Sequence, residues 1–142
     1  MKYFTEAEFG GWFDKVDEKL KDKLDSLREE LGVPVHLSKN KFAVGREDNS
    51  NSWHNVRKHG KTYAVDGYIP EGITYKKFYQ TCLKVGFTGI GLYTGWSGGK
   101  GFHVDTRLDR EEGNPAKWSC VYRDGKNTYG DISNLIGTQE QK

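Results

Sequence analysis

Gly101-Phe102-His103-Val104-Asp105-Thr106-Arg107 alternates apolar and polar side chains with the period of two that a half-buried strand requires. From Phe102 to Arg107 it therefore reads as a strand. Phe102 and Val104 share one face, and His103 and Asp105 share the other. An apolar face must be covered by another layer, so strands and helices are needed around it. Further strands are expected at Val35-His36-Leu37, at Phe42-Ala43-Val44, from Tyr63 to Tyr68, around Ile90, Leu92 and Tyr93, and from Trp118 to Tyr122. Asp124-Gly125 is a turn able to fold the last of these back into Thr128-Tyr129. The glycine-rich segment from Thr94 to Gly101 reads as a turn or loop.

The covering layer comes from two helices. Thr5-Glu6-Ala7-Glu8 has the residues of a capping box. A longer helix is expected from about Asp14 to Leu31, where Val16, Leu20, Leu24, Leu27 and Leu31 make one apolar stripe. Gly32 and Pro34 stop it. A second helix is expected from about Thr74 to Val85, with Phe78, Cys82 and Val85 on one side and Gly86 at its end. No repeat or linker interrupts residues 1–142, which predicts one α+β domain: a small antiparallel sheet flanked by helices, with a polar tail fraying from Gly137.

Composition narrows the class of function. At 142 residues the chain is long enough to bury a core without staples. Its 22 basic and 20 acidic residues nearly cancel, which gives no electrostatic basis for a nucleic-acid partner. No apolar run approaches the roughly 20 residues that span a bilayer, so no membrane insertion is expected. Met1-Lys2-Tyr3-Phe4-Thr5-Glu6 lacks the apolar stretch of a secretory signal, so synthesis and first residence in a cytoplasm are expected. Cys82 and Cys120 make no disulfide framework, and Cys82 reads as a small core hydrophobe. Composition leaves the oligomeric state open.

Chemistry concentrates in three polar islands: Ser52-Trp53-His54-Asn55, Ala64-Val65-Asp66 and Gly101-Phe102-His103-Val104-Asp105. Two imidazoles and a carboxylate are the ligand set of an open zinc site, where three protein groups hold the metal and a fourth position takes water. Asp66 follows two small apolar residues and reads as the end of a strand. His54 lies in the polar stretch from Gly45 to Lys61, whose 17 residues are long for a structureless loop and therefore suggest a functional one.

These segments resemble the zinc D-Ala-D-Ala carboxypeptidase family, whose fold is shared by vancomycin-resistance dipeptidases, phage endolysin peptidases and the hedgehog signalling domain. The family carries Ser-x-His, then Ala-x-Asp, then a later strand histidine; here these are Ser52-Trp53-His54, Ala64-Val65-Asp66 and His103. The chain looks most similar to a phage or prophage branch, through Ser52-Trp53-His54-Asn55-Val56, Gly60, Gly89-Ile90-Gly91-Leu92-Tyr93, Gly101 to Arg107 and Trp118. Tyr3-Phe4-Thr5, Glu8-Phe9 and Leu27-Arg28 add to it, so the resemblance runs over roughly residues 3–120. It implies a hedgehog/DD-peptidase-like fold, a single zinc peptidase-like domain, and Zn²⁺ held by His54, Asp66 and His103.

Two departures from the family pattern bear on roles. Elsewhere in the family the first histidine lies seven residues before the aspartate, a spacing that fits His59; Ser52 favours His54. Many relatives place a carboxylate general base three residues before the last histidine, and Lys100 stands there. A lysine accepts a proton only if burial shifts its pKa strongly. Asp105 is then either the base or the partner that orients an imidazole. Arg46 resembles the family arginine that grips a substrate carboxylate or a developing oxyanion, a task that suits a guanidinium fork. Tyr93 and Arg107 are weaker candidates of the same type, and Trp53 and Trp118 are expected in the core, with the lining of a cleft as the alternative. The resemblance thus implies a zinc peptidase cleaving D-amino-acid links of peptidoglycan stem peptides, reaching the wall after holin release or from a virion. The alternative is a catalytically inactive zinc-binding module of a phage particle.

Overall fold

The computed structural model describes residues 1–137. It contains strands β1 (His36–Leu37), β2 (Ala64–Tyr68), β3 (Gly89–Trp96), β4 (Gly99–Asp105), β5 (Ala116–Arg123) and β6 (Lys126–Gly130). They form one open sheet in the spatial order β1-β2-β4-β3-β5-β6. Four of the five pairings are antiparallel, and β3 with β5 is parallel. The expected antiparallel sheet is therefore mostly, not wholly, antiparallel. β4 ends beside Gly89 and β5 begins beside the same residue, so the intervening loop need only cross the start of β3. The chain then has to run in the direction of β3.

Helix α1 (Glu18–Leu31) buries Leu20, Leu24, Leu27 and Leu31, as the stripe predicts. It starts four residues later than expected. Val16 is pulled out of the helix into a parallel bridge with Thr62, and Asp17 donates its N–H to the Thr62 carbonyl at 3.0 Å. Phe13–Lys15 is a separate 3₁₀ turn. Gly32 closes α1 with φ of 73°, a left-handed conformation that costs glycine little. The short helix α2 (Val56–His59) occupies part of the expected long loop, and α3 (Tyr75–Val85) and α4 (Ser133–Ile136) complete the four α-helices among the described residues. Positions 138–142 of the tail expected to fray lie outside them. No helix among the described residues is long and apolar enough to cross a membrane.

Phe42-Ala43-Val44 is not a strand. Asn40 turns the chain there, its side-chain oxygen accepting the Phe42 N–H and its carbonyl the Ala43 N–H. The Ala43 carbonyl accepts the Asp66 N–H, and the Val44 carbonyl is taken by the Thr62 hydroxyl and by His54 Nδ1. The glycine-rich segment 94–101 is largely strand: β3 runs to Trp96 and β4 begins at Gly99. Glycine is a poor strand former, but here it makes room for rings. A Cβ at Gly101 would fall inside the Trp96 indole.

Alternation gives the sheet two unlike faces. Val65, Ile90, Leu92, Phe102 and Val104 are fully buried in the core that also holds the apolar faces of α1 and α3. Phe78 of α3 meets Phe102 with ring centroids 4.8 Å apart, and Cys82 is fully buried as expected. Phe102→Ala should lower unfolding stability by about 3–5 kcal/mol, as large-to-small changes at buried aromatics do. Urea denaturation would measure it. The other face carries Asp66, His103, Asp105 and Gly91.

Candidate metal centre

Strand register brings the first two candidate ligands together. Asp66 stands opposite His103, in the middle of β2 and not at a strand end as the sequence suggests. The Asp66 backbone N–H and carbonyl both bond away from β4, to Ala43 and from Ser38. Asp66 and His103 are therefore a non-hydrogen-bonded antiparallel pair, the kind whose side chains lie closest. His103 Nδ1 is 3.1 Å from Asp66 Oδ1.

His54 arrives from the loop before α2, which is laced by its own short polar residues. Ser52 Oγ accepts the His54 N–H at 3.1 Å. Asn55 is almost completely buried; its amide nitrogen donates to the Asp48 and Ser50 carbonyls and its oxygen accepts the Arg57 N–H. That last bond caps α2. His54 Nε2 thereby comes to 3.2 Å from the same Asp66 Oδ1. One ligand atom from each of His54, Asp66 and His103 falls within 4.8 Å of the other two. His54 is 2% exposed and His103 7% exposed.

Both imidazoles have their other nitrogen committed. His54 Nδ1 lies 2.8 Å from the Val44 carbonyl, which only accepts, so Nδ1 donates there and Nε2 is the nitrogen that faces Asp66. His103 Nε2 is 2.6 Å from Asp105 Oδ2. Asp105 is 0% exposed and is clamped by Arg107 Nε at 3.0 Å and Nη2 at 2.7 Å. A Cβ at Gly89 would collide with its carboxylate, so glycine is required in the neighbouring strand. A carboxylate or carbonyl behind each ligating histidine is how metal sites fix the tautomer and ring orientation.

Without a metal, the two carboxylates hold His103 as an imidazolium. Burial by itself would lower its pKa, but the hydrogen bonds and charges of Asp105 and Asp66 outweigh that and push it up to about 9. Burial likewise works against Asp66, but His54 and His103 hold its carboxyl well below the usual range. His103 and Arg107 do the same for Asp105. The raised value at His103 stabilises the metal-free fold fully below its unfolded pKa of about 6.5, and that contribution is lost as pH rises through about 9. A zinc ion held at His103 Nδ1 would have to displace the proton there. Its affinity should therefore rise about tenfold per pH unit between about 7 and 9 and then level off. Calorimetry in buffers of different ionisation enthalpy would count the released proton.

His59, the other histidine that fits by spacing, is not in the cluster; its ring stacks on Trp53 at 4.0 Å. Lys100 sends its ammonium over the Tyr75 ring, 5.8 Å from the centroid. Arg46 lines the same cleft as His54, Asp66 and His103, with Nη2 on the Phe42 carbonyl at 3.2 Å and a buried Nε that has no partner. Trp53 and Trp118 line this cleft of about 620 Å³ and do not belong to the core as expected. Trp118 lies over Gly91, where a Cβ would meet its indole, and its ring is 5.0 Å from that of His103. Its Nε1 donates to the Tyr93 hydroxyl at 2.9 Å. The Trp118–Tyr93 pair and the Val44 carbonyl escaped sequence reasoning. The alternating Gly89 and Gly91 in a strand were the available signal, since such glycines mark close approach of a neighbour. A larger groove, about 1140 Å³, lies between the N-terminal segment and β1 and contains none of the three residues.

No family model, curated protein or solved structure matches this chain.

Proposed function

We propose that this protein is a zinc-dependent peptidase acting on peptidoglycan stem peptides, of D-Ala-D-Ala carboxypeptidase or endopeptidase type, on a hedgehog/DD-peptidase-like fold. A phage-type wall hydrolase is the setting this reading favours. The observation that carries it is the convergence of His54 Nε2, His103 Nδ1 and Asp66 Oδ1, with both remaining imidazole nitrogens already committed. Two nitrogens and one carboxylate oxygen fit zinc and leave a position free. Zinc there would supply Lewis acidity, activating a water near neutral pH and polarising a carbonyl.

The protein's own groups divide the remaining work. Arg46 offers a guanidinium in the cleft, suited to a substrate carboxylate or to charge developing on the carbonyl oxygen. Asp105 is sealed from solvent behind His103, which suits the orienting role better than that of a base exchanging protons with water. Tyr93, held by the Trp118 indole, presents a hydroxyl beside the centre.

A second reading, the inactive zinc-binding module, is favoured by one observation. Among the described residues lining the cleft, Asp66 is the only carboxylate. Incubating zinc-loaded protein with purified peptidoglycan and with D-Ala-D-Ala peptides separates the two. New amino termini or released D-alanine support the peptidase. About one zinc per chain with no cleavage of either substrate supports the inactive module.

A further inference from the structure

We propose that the end of the cleft formed by β3, β5 and β6 is a saccharide platform, taking an N-acetylated hexosamine of the glycan strand that carries the stem peptide. The sugar's identity rests on the peptidase reading; the platform itself rests on the following geometry. Tyr93 is in register with Cys120, and Cys120 with Tyr129, in a row across three strands. That row is two residues from the row holding His103, about 7 Å along the strands. Trp96 stacks on Tyr93 with centroids 5.1 Å apart and planes 27° from parallel, while Tyr129 meets Tyr93 edge-on at 6.4 Å. Tyr129 is 66% exposed and Tyr122, lying over Gly95, is 49% exposed.

Large rings open to water beside a cleft suit an occupant with an apolar face and a polar rim. A pyranose has a C–H face that packs on a ring and a rim of hydroxyls that bond to its polar edge, and tyrosine offers both. Asn127, opposite Tyr122 and lining the same cleft, adds an amide donor and acceptor matched to an acetamido group. Charge argues the same way. The charge-bearing side chains of the cleft are Arg46, His54, Asp66, His103 and Arg107, whereas Tyr93, Trp96, Asn127 and Tyr129 are neutral. Lys117, Arg123 and Lys126 of β5 and β6 alternate onto the opposite face. A single-stranded nucleic acid stacked on these rings would require basic residues alongside them. A neutral sugar does not.

Tetra-N-acetylchitotetraose is the probe, titrated into the zinc-loaded full chain and followed by calorimetry and tryptophan fluorescence. Saturable binding is expected, weakened at least tenfold by Tyr129→Ala and by Tyr122→Ala, whose exposed rings contribute little to folding. Absence of saturable binding, or unchanged affinity in both tyrosine variants, overturns the platform. Hydrolysis of stem peptides without oligosaccharide binding overturns the platform alone, and binding without hydrolysis of any stem peptide overturns the peptidase reading alone.

Discussion

Asp66→Ala is expected to reduce bound zinc from about one per chain to less than about a tenth, because three protein ligands are the minimum for an open site. Asp66 is the hub of the cluster: one oxygen lies 3.2 Å from His54 Nε2 and 3.1 Å from His103 Nδ1. Removing it leaves two imidazoles facing one another with no anion between them. On the peptidase reading, hydrolysis should fall by more than about a hundredfold, the scale of losing a main source of transition-state charge stabilisation. Thermal unfolding gives a readout independent of turnover. Zinc at a thousand times its dissociation constant stabilises a one-site protein by about 4 kcal/mol, and the variant should show almost none of that shift. A variant that keeps stoichiometric zinc would show that the cluster is not the metal site.

Asp105→Ala should be the most damaging single change behind the ligands. Its carboxylate is fully buried and serves two partners at once, His103 and the Arg107 guanidinium. Truncation strands Arg107 and frees the His103 ring to rotate. Breaking a buried ion pair from one side costs about 3–5 kcal/mol. Loss of a carboxylate behind a metal-ligating histidine weakens metal binding about 10–100-fold. Asp105→Asn keeps an oxygen to accept from His103 Nε2 and should retain more of the zinc affinity. If Asp105 instead served as the base, both variants would abolish turnover while leaving zinc affinity unchanged. Competition against a chromophoric chelator, paired with urea denaturation, distinguishes these outcomes.

The residues that were legible in the sequence are those whose position follows from local periodicity. His103 and Asp105 share a strand face because side chains alternate, and the structure keeps them 2.6 Å apart at their nearest atoms. The α1 stripe and Cys82 follow from the helical repeat in the same way. The choice of His54 over His59 rested on Ser52, and that residue does local work, accepting the His54 N–H. What escaped depends on long-range backbone contacts that leave no pattern in side-chain chemistry. The Val44 carbonyl that orients His54 comes from ten residues upstream, in a segment whose apolar run suggested a strand. Val16 belongs to the helical stripe by spacing but to a bridge with Thr62 by contact. The glycines between Thr94 and Gly101 argue for a loop, whereas Trp96 needs the space that a missing side chain provides at Gly101. The parallel β5 was hidden because a ten-residue connection looks the same whether the strand returns or runs alongside.

His54, Asp66 and His103 are proposed to hold one metal ion in an open site. Crystals soaked in zinc, with anomalous diffraction collected across the zinc edge, test it directly. A single strong peak is expected, bonded to His54 Nε2, Asp66 Oδ1 and His103 Nδ1 at about 2.0–2.2 Å, with a fourth position facing the cleft. A peak coordinated by His59, or no peak between these three residues at saturating zinc, would contradict it.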